Sequence, residues 1–214
     1  MAAADHGQNT EQARITLGLL EALERDGGQS QRRLATELGI ALGLVNAYLK
    51  RCVKKGLVKV QHAPARRYAY YLTPRGFSEK SRLTVEYLTY SFGFFRQART
   101  DCSGLFGVAK ASGIKKVVLA GQSDLAEIAA LCALEHGIEI VGVIEEKAAH
   151  GHFIGIPVFP SFEAVSEAFD AVFITDLINA RETCEAAVDR FGAECVLVPE
   201  LLRIRVRPRS EAAK

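Results

Sequence analysis

The densest chemistry in this sequence lies in its second half. Gly121-Gln122-Ser123-Asp124-Leu125-Ala126 follows the apolar run Val117 to Ala120 and opens an amphipathic stretch that ends at His136. A strand, a tight turn and a helix N-terminus in that order can cradle a phosphate. Glycine lets the backbone approach the ligand, and the first helical amides and the helix dipole favour an anion. Glu145 stands 24 residues after Gly121, at the end of the apolar run Ile138 to Ile144. That is where an acid bonding a ribose hydroxyl is expected. Gly121 fills the first glycine position of such a turn and Ala126 the permitted third. Ser123 replaces the second, and Asp124 brings a carboxylate to the same amides a phosphate would use. The expected ligand-binding set is Gly121, Gln122, Ser123, Asp124, Leu125 and Glu145. The ligand stays open between a nucleotide, a nucleotide-sugar, NAD and none.

Other reactive side chains are sparse. His150-Gly151-His152 has no carboxylate or third histidine at ligand spacing, so it reads as a polar loop and no metal is expected. The five cysteines, Cys52, Cys102, Cys132, Cys184 and Cys195, form no C-x-x-C pair and read as small buried hydrophobes of a reducing cytoplasm. All six tyrosines precede residue 91, so no Tyr-x-x-x-Lys pair can serve the second half. No catalytic residue is identified, and the expectation is that the chain is not an enzyme.

The first half is built for a different task. Through Ser112 the chain carries 17 Lys and Arg against 9 Asp and Glu, a balance of +8; the remainder carries 10 against 16, or −6. A basic front is drawn to a polyanion and an acidic back is repelled by it. Ile15, Leu19, Leu20 and Leu23 predict a helix over Thr10 to Arg25, capped by Asn9. Ser30 caps a second helix with Leu34, Ala35 and Leu38 on one face, and Gly39 ends it. A third helix runs from Leu42 to Lys55, with Val45, Leu49, Cys52 and Val53 as its buried stripe. Val58 to Gln61 and Tyr68 to Leu72 then alternate as a hairpin.

Two helices separated by the turn Leu38 to Ala41 form a helix-turn-helix, whose last helix enters the major groove of DNA. Its outer face carries Gly43, Asn46, Ala47, Lys50, Arg51 and Lys54. Small residues permit close approach, asparagine suits an adenine edge, and Arg51 or Lys50 suits guanine or phosphate. Arg32 on the second helix, and Arg66 and Arg67 at the hairpin tip, complete the expected contacts with duplex DNA.

After the break Thr73-Pro74-Arg75-Gly76, the sequence predicts an aromatic helix from Glu79 to Arg99. Asp101 would cap a shorter one reaching Ala111. Tyr87, Tyr90, Phe92, Phe94 and Phe95 crowd the longer helix and suggest a homodimer interface. From Ser112 the rhythm becomes alternating strand and helix. Strands are predicted at Lys116–Ala120, Ile138–Ile144, Ala171–Thr175 and Cys195–Val198, with a short extended piece at Pro157–Phe159. Helices are predicted at Asp124–His136, Phe162–Phe169 and Ile178–Phe191. Apolar strands between helices indicate a parallel sheet covered on both faces. The fold class is therefore α/β overall. It divides into a winged helix over 1–78, connecting and dimerisation helices over 79–112, and a small Rossmann-like sensor domain over 113–214. The tail from Leu201, with Arg203, Arg205, Arg207 and Arg209, reads as an edge strand or a basic arm. Neither a signal peptide nor a membrane span is seen, and a cytoplasmic protein is expected.

Two resemblances sharpen this reading. Gln31-Arg32-Arg33-Leu34-Ala35 to Gly39-Ile40, Leu49-Lys50-Arg51 to Lys55-Gly56-Leu57-Val58, and Tyr71-Leu72-Thr73-Pro74-Arg75-Gly76-Phe77 resemble MarR-type winged-helix regulators. Ala41 stands where a capping Ser or Thr is usual in them. The stretch Ile114 to Val198, with its Gly121 turn and Gly155-Ile156-Pro157-Val158, resembles the Rossmann-like N-terminal domains of nucleotide-sugar acetyltransferases and the related CoA-binding domains. The order of the two parts is similar to that of redox-sensing repressors that bind NAD(H). Together the resemblances imply a homodimeric DNA-binding transcriptional regulator that senses a nucleotide-type small molecule, with a link to polysaccharide biosynthesis. The alternatives are a nucleotide-sugar-modifying enzyme, an NAD(H)-responsive repressor, and an interaction module with no ligand.

Overall fold

The computed structural model describes residues 2–63, 67–146 and 151–204, with side chains from Glu11 onward except those of His62, Ala63 and Arg67. The chain divides into two compact units, Met1–Phe92 and Gly93–Lys214. Their boundary falls inside the segment 79–112 that the sequence treats as a separate connector.

The first unit holds α1 (Ala2–Arg25), α2 (Gln31–Leu38), α3 (Leu42–Lys54), β1 (Val58–Ala63), β2 (Arg67–Leu72) and the start of α4 (Pro74–Ala111). α1 begins well before the Asn9 cap expected from sequence. Leu19, Leu20, Leu34, Val45, Leu49, Leu57, Val58 and Tyr70 form its buried core. α2 starts where the Ser30 hydroxyl accepts from Arg33 N and stops at Gly39, which is left-handed at φ 63°. β1 and β2 pair antiparallel, Val58 opposite Leu72.

α4 is one helix, not the two expected. Asp101 does not cap a new helix. Its Oδ1 accepts from Gln97 Nε2 at 2.8 Å and its Oδ2 from Leu201 N at 2.8 Å. With a tertiary partner for its carboxylate, nothing interrupts the helical backbone there.

The second unit is a six-stranded sheet. β3 (Lys116–Ala120), β4 (Glu139–Ile144), β6 (Ile156–Phe159), β7 (Ala171–Ile174) and β8 (Val196–Leu197) are parallel, and β5 (Gly151–Phe153) runs antiparallel to β6. The order across the sheet is β5-β6-β4-β3-β7-β8. α5 (Asp124–His136) and α6 (Ala180–Phe191) are the crossover helices. Side chains on β3 alternate between the two faces. Val117 and Leu119 join the cluster built with Phe106, Ala129 and Phe173, whereas Val118 and Ala120 join the clusters of the other face. Phe106 stacks on Phe173 with ring centroids 4.6 Å apart.

Sequence and structure differ at three places in this unit. The extended piece expected at Pro157–Phe159 is β6, and it forms a hairpin with β5; Ile154 (φ 48°) and Gly155 (φ 84°) make its tight turn. The helix expected over Phe162–Phe169 is only a 3-10 turn at Phe162–Ala164. Phe162 and Phe169 both meet Phe191 edge-on, at 5.1 and 5.4 Å. Their helical spacing thus reflects a shared partner rather than a helix. The tail expected as an edge strand or a basic arm opens on a 3-10 turn at Glu200–Leu202, and beyond residue 204 it lies outside the described residues. Among the described residues no helix is long and apolar enough to cross a membrane.

Candidate nucleic-acid interface and ligand crevice

In the first unit, a helix that buries one face leaves the other to solvent, and at 3.6 residues per turn the two faces are separable by position. Val45, Tyr48, Leu49 and Cys52 are the buried residues of α3. Val53, expected in that stripe, is 40% exposed. It lies about 100° round the helix from Cys52, off the buried arc, while Tyr48 lies inside that arc. Opposite the core, Gly43, Ala47, Lys50 and Lys54 are exposed and Asn46 is half-buried beside them. Nothing lies within 4 Å of the space a Gly43 side chain would fill. The N-terminal turn of α3 is therefore a bare surface open to close approach. Ala41 supplies no side-chain cap, so no hydroxyl shields the first α3 amides.

The cations around this face differ in their engagement. Among the described residues Arg32, Lys50 and Lys54 are exposed and make no ion pair. Arg51 lies to the side, where its Nη1 donates to Gln12 Oε1 of α1 at 3.1 Å. Of the wing contacts, Arg66 and the side chain of Arg67 lie outside the described residues.

The wing is anchored at its base by Thr73. Thr73 Oγ1 donates to Gly56 O (2.7 Å) and accepts from Gly76 N (3.0 Å), and Thr73 N donates to Leu57 O (3.0 Å). Pro74 follows as the first residue of α4, where its missing N–H is harmless. A Cβ on Gly76 would come 2.1 Å from Leu57 O, so only glycine allows α4 to start against the wing. Thr73-Pro74-Arg75-Gly76 is a splice between hairpin and helix rather than a plain break.

In the second unit, the fold brings the expected ligand residues to one edge of the sheet. Gly121 N donates to Ile144 O at 3.0 Å, which sets Gly121 beside Glu145 at the carboxyl ends of β3 and β4. Gln122 and Asp124 are exposed, Glu145 is half-buried, and the Leu125 side chain is fully buried in the core. Leu125 can thus offer a ligand only its backbone. Two further residues enter from the end of β7. Thr175 Oγ1 donates to Gly121 O at 2.5 Å, and Ser123 Oγ donates to Thr175 O at 2.6 Å. Asp176 accepts through Oδ1 from Ile178 N and Asn179 N (2.7 and 2.8 Å) and through Oδ2 from Thr183 Oγ1 (2.9 Å). An aspartate closing a strand just before a helix is the readable signal for such a turn. His152 is exposed on β5, while His150 and the tail arginines 205, 207 and 209 lie outside the described residues. Among the described residues no cluster of His, Cys, Asp or Glu is placed to hold a metal.

Comparison with known proteins bears on the two units differently. Residues 12–59 match the family model described as winged helix-turn-helix DNA-binding. No curated protein matches the chain. The PcaV transcriptional regulator from Streptomyces coelicolor, solved with its natural ligand, is similar at 24% identity over 38% of this chain and 59% of its own, with a TM-score of 0.36. A MarR family protein of Mycobacterium tuberculosis in complex with p-aminosalicylic acid is similar at 22% identity over 33% and 55%, with a TM-score of 0.30. This chain thus spans less than two thirds of the length of either. Human N-acetylserotonin methyltransferase in complex with SAM is similar at 14% identity over 96% of this chain and 82% of its own, with a TM-score of 0.34.

That last likeness overturns the expectation that the chain is not an enzyme, because over nearly its whole length the chain is similar to one. At a TM-score below 0.5 it assigns neither a reaction nor a ligand. The nucleotide-sugar acetyltransferase resemblance has no counterpart among these structures. The N-terminal part of this chain is a winged helix, and its residues 12–59 are similar to winged helix-turn-helix DNA-binding domains.

Proposed function

We propose that the chain is a transcriptional regulator that binds duplex DNA as a homodimer, with its second unit as the regulatory part. The observation that carries this reading is the outer face of α3. Gly43, Ala47, Lys50 and Lys54 lie exposed around Asn46, and Lys50 and Lys54 are not neutralised by any ion pair among the described residues. Small residues at the leading end and free cations behind them suit a major groove flanked by phosphates. The homodimer rests on α4, where Tyr87, Tyr90 and Phe92 are 50%, 66% and 58% exposed. Exposed aromatic side chains are the usual anchors of a protein contact, and Tyr87 and Tyr90, three residues apart, share one face of the helix.

The test is a fluorescence-anisotropy titration of a mixed-sequence duplex at several salt concentrations. Affinity should fall with a log–log slope of about −0.9 per phosphate neutralised. Replacing Lys50 and Lys54 together by alanine should flatten the slope by up to about 1.8. Asn46→Ala should change preference at one base pair by about 1–3 kcal/mol and leave the slope alone. No binding at low salt, or a slope unmoved by the lysine changes, would sink the reading of this face. Sedimentation of the Tyr90→Glu, Phe92→Glu variant as a dimer identical to the parent would remove α4 from the subunit contact.

A further inference from the structure

We infer that the second unit takes no dinucleotide and no nucleotide-diphosphate sugar at its sheet crevice, because its own side chains occupy the phosphate cradle. From β3 the chain winds outward through β4 to β6, then returns to β7 and β8 on the other side. The point where the winding reverses, between the carboxyl ends of β3 and β7, is where such folds hold the pyrophosphate. A fit requires unpaired amides at the start of α5, a backbone open to close approach, and space between the two strand ends.

The first condition fails at Leu125 and Ala126, and neither of the other two is met. The Ser123 hydroxyl accepts from Leu125 N at 3.1 Å and from Ala126 N at 3.3 Å, the amides that would face a phosphate. The same hydroxyl donates to Thr175 O, so it is locked in place from across the crevice. Gly121 is buried, and a Cβ built on it would meet Asp176 N and Cα at 2.5 Å. The turn after β3 therefore packs directly on the turn after β7. Thr175 Oγ1 bonds Gly121 O, and Thr175 N and Asp176 N both donate to Ala120 O at 2.9 Å, which stitches the two strand ends together. The approach to α6 is closed in the same way. In the turn that leads into it, Ile178 N and Asn179 N are held by the Asp176 carboxylate, an internal anion beside the start of the helix. Asp124, exposed at the first position of α5, adds negative charge to the rim.

In this crevice, Gly121 serves close packing, Ser123 serves as a cap, and Thr175 with Asp176 forms a latch. NAD(H) and nucleotide-sugars are thereby excluded as ligands of this position. Any effector of the unit is recognised through groups other than a diphosphate, or at another surface.

Two measurements on the full chain test this inference. Calorimetric titration with NADH, ADP and UDP-GlcNAc should show no saturable binding at ligand concentrations up to about 1 mM. Amide hydrogen exchange should find Leu125 and Ala126 protected in the ligand-free protein. Ser123→Ala should accelerate Leu125 by about tenfold, the effect of losing one helix cap, and Ala126 less, because its amide also donates to Ser123 O at 3.0 Å. Fast exchange of these two amides in the parent protein would mean an open cradle and overturn the inference. So would binding of any of the three probes with a dissociation constant below about 100 µM that Gly121→Ala or Ser123→Ala alters. Binding that both variants leave unchanged lies elsewhere on the protein and upholds the closed crevice.

Discussion

Replacing Gly121 by alanine adds one methyl group at the most tightly packed turn of the sheet unit. The backbone there has φ 111°, a conformation L side chains rarely adopt, and the new Cβ would stand 2.5 Å from Asp176 N and Cα. The conformational strain costs about 1–3 kcal/mol. Overpacking against backbone atoms that cannot rotate away costs about 1–3 kcal/mol more. The sum, about 2–6 kcal/mol, is a large share of the 5–15 kcal/mol that holds a typical domain folded. Gly113 supplies the control, since its φ is 86° but nothing lies within 4 Å of its Cβ position. Gly113→Ala should show the conformational cost alone. The sequence itself provides the assay. There is no tryptophan, and all six tyrosines fall between Tyr48 and Tyr90, inside the first compact unit. Tyrosine fluorescence therefore follows the first unit, while far-ultraviolet circular dichroism follows both. In urea, Gly121→Ala should unfold in two steps by dichroism, the early one silent in fluorescence, with DNA affinity unchanged below that step. A tyrosine midpoint that falls together with the dichroism would refute independent unfolding of the units. A loss no larger than that of Gly113→Ala would refute the steric argument.

Three further outcomes are expected. Thr73→Val removes the acceptor of the buried Gly76 amide and should destabilise the wing by about 1–3 kcal/mol, read by tyrosine fluorescence in urea. Asp170 accepts from Lys115 N and Lys116 N at 2.8 and 2.9 Å, and these bonds hold its carboxyl below its ordinary value of 3.8. Its contribution to stability is thus full above the unfolded value and lost as pH falls through the lower folded one. Asp170→Asn should narrow the stability difference between pH 6 and about pH 3, and an unchanged pH profile would refute this. Finally, burial pushes the Cys102 thiol up to about 12 and Cys52 up to about 11, while Cys195 alone of the five is not buried. A disulfide reagent at pH 8 should label one thiol, Cys195, long before the others; fast labelling of Cys102 would contradict the packing of the cluster around it.

The parts of this molecule legible in its sequence are those governed by local chemistry. Ser30 and Gly39 bracket α2, as their capping preferences require. The strands Lys116–Ala120 and Asp124–His136 helix fall where the apolar runs and the Ser123 turn place them. Sequence and structure part where a residue's partner is distant in the chain. Asp101 looks like a cap, yet it bonds Leu201 across 100 positions. Phe162 and Phe169 have helical spacing, yet both face Phe191. Val53 has the apolar character of the α3 stripe but the wrong azimuth. The crevice shows the same limit. The Gly121 turn is visible in sequence, but the residues that fill it, Thr175 and Asp176, lie more than 50 positions away and carry no signal of what they oppose.

The polar groups of the two units contrast in a way that bears on where an anion can bind. A site for an external anion must keep its donors unpaired until the ligand arrives, since each internal hydrogen bond broken on binding costs about 0.5–1.5 kcal/mol. In the first unit Arg32, Lys50 and Lys54 meet that condition, and Arg51 meets it after release of one exposed bond to Gln12. In the second unit the amides of Leu125, Ala126, Ile178 and Asn179 and the hydroxyls of Ser123 and Thr175 are all paired within the crevice. Binding a phosphate there means breaking several of these bonds at once and bringing a second anion beside Asp176. The excess positive charge of the chain lies in the same half as the unpaired donors, so long-range attraction and short-range contact favour the same half of the chain. A phosphate backbone drawn to this protein thus meets donors ready to receive it on the winged helix, and a closed surface on the sheet.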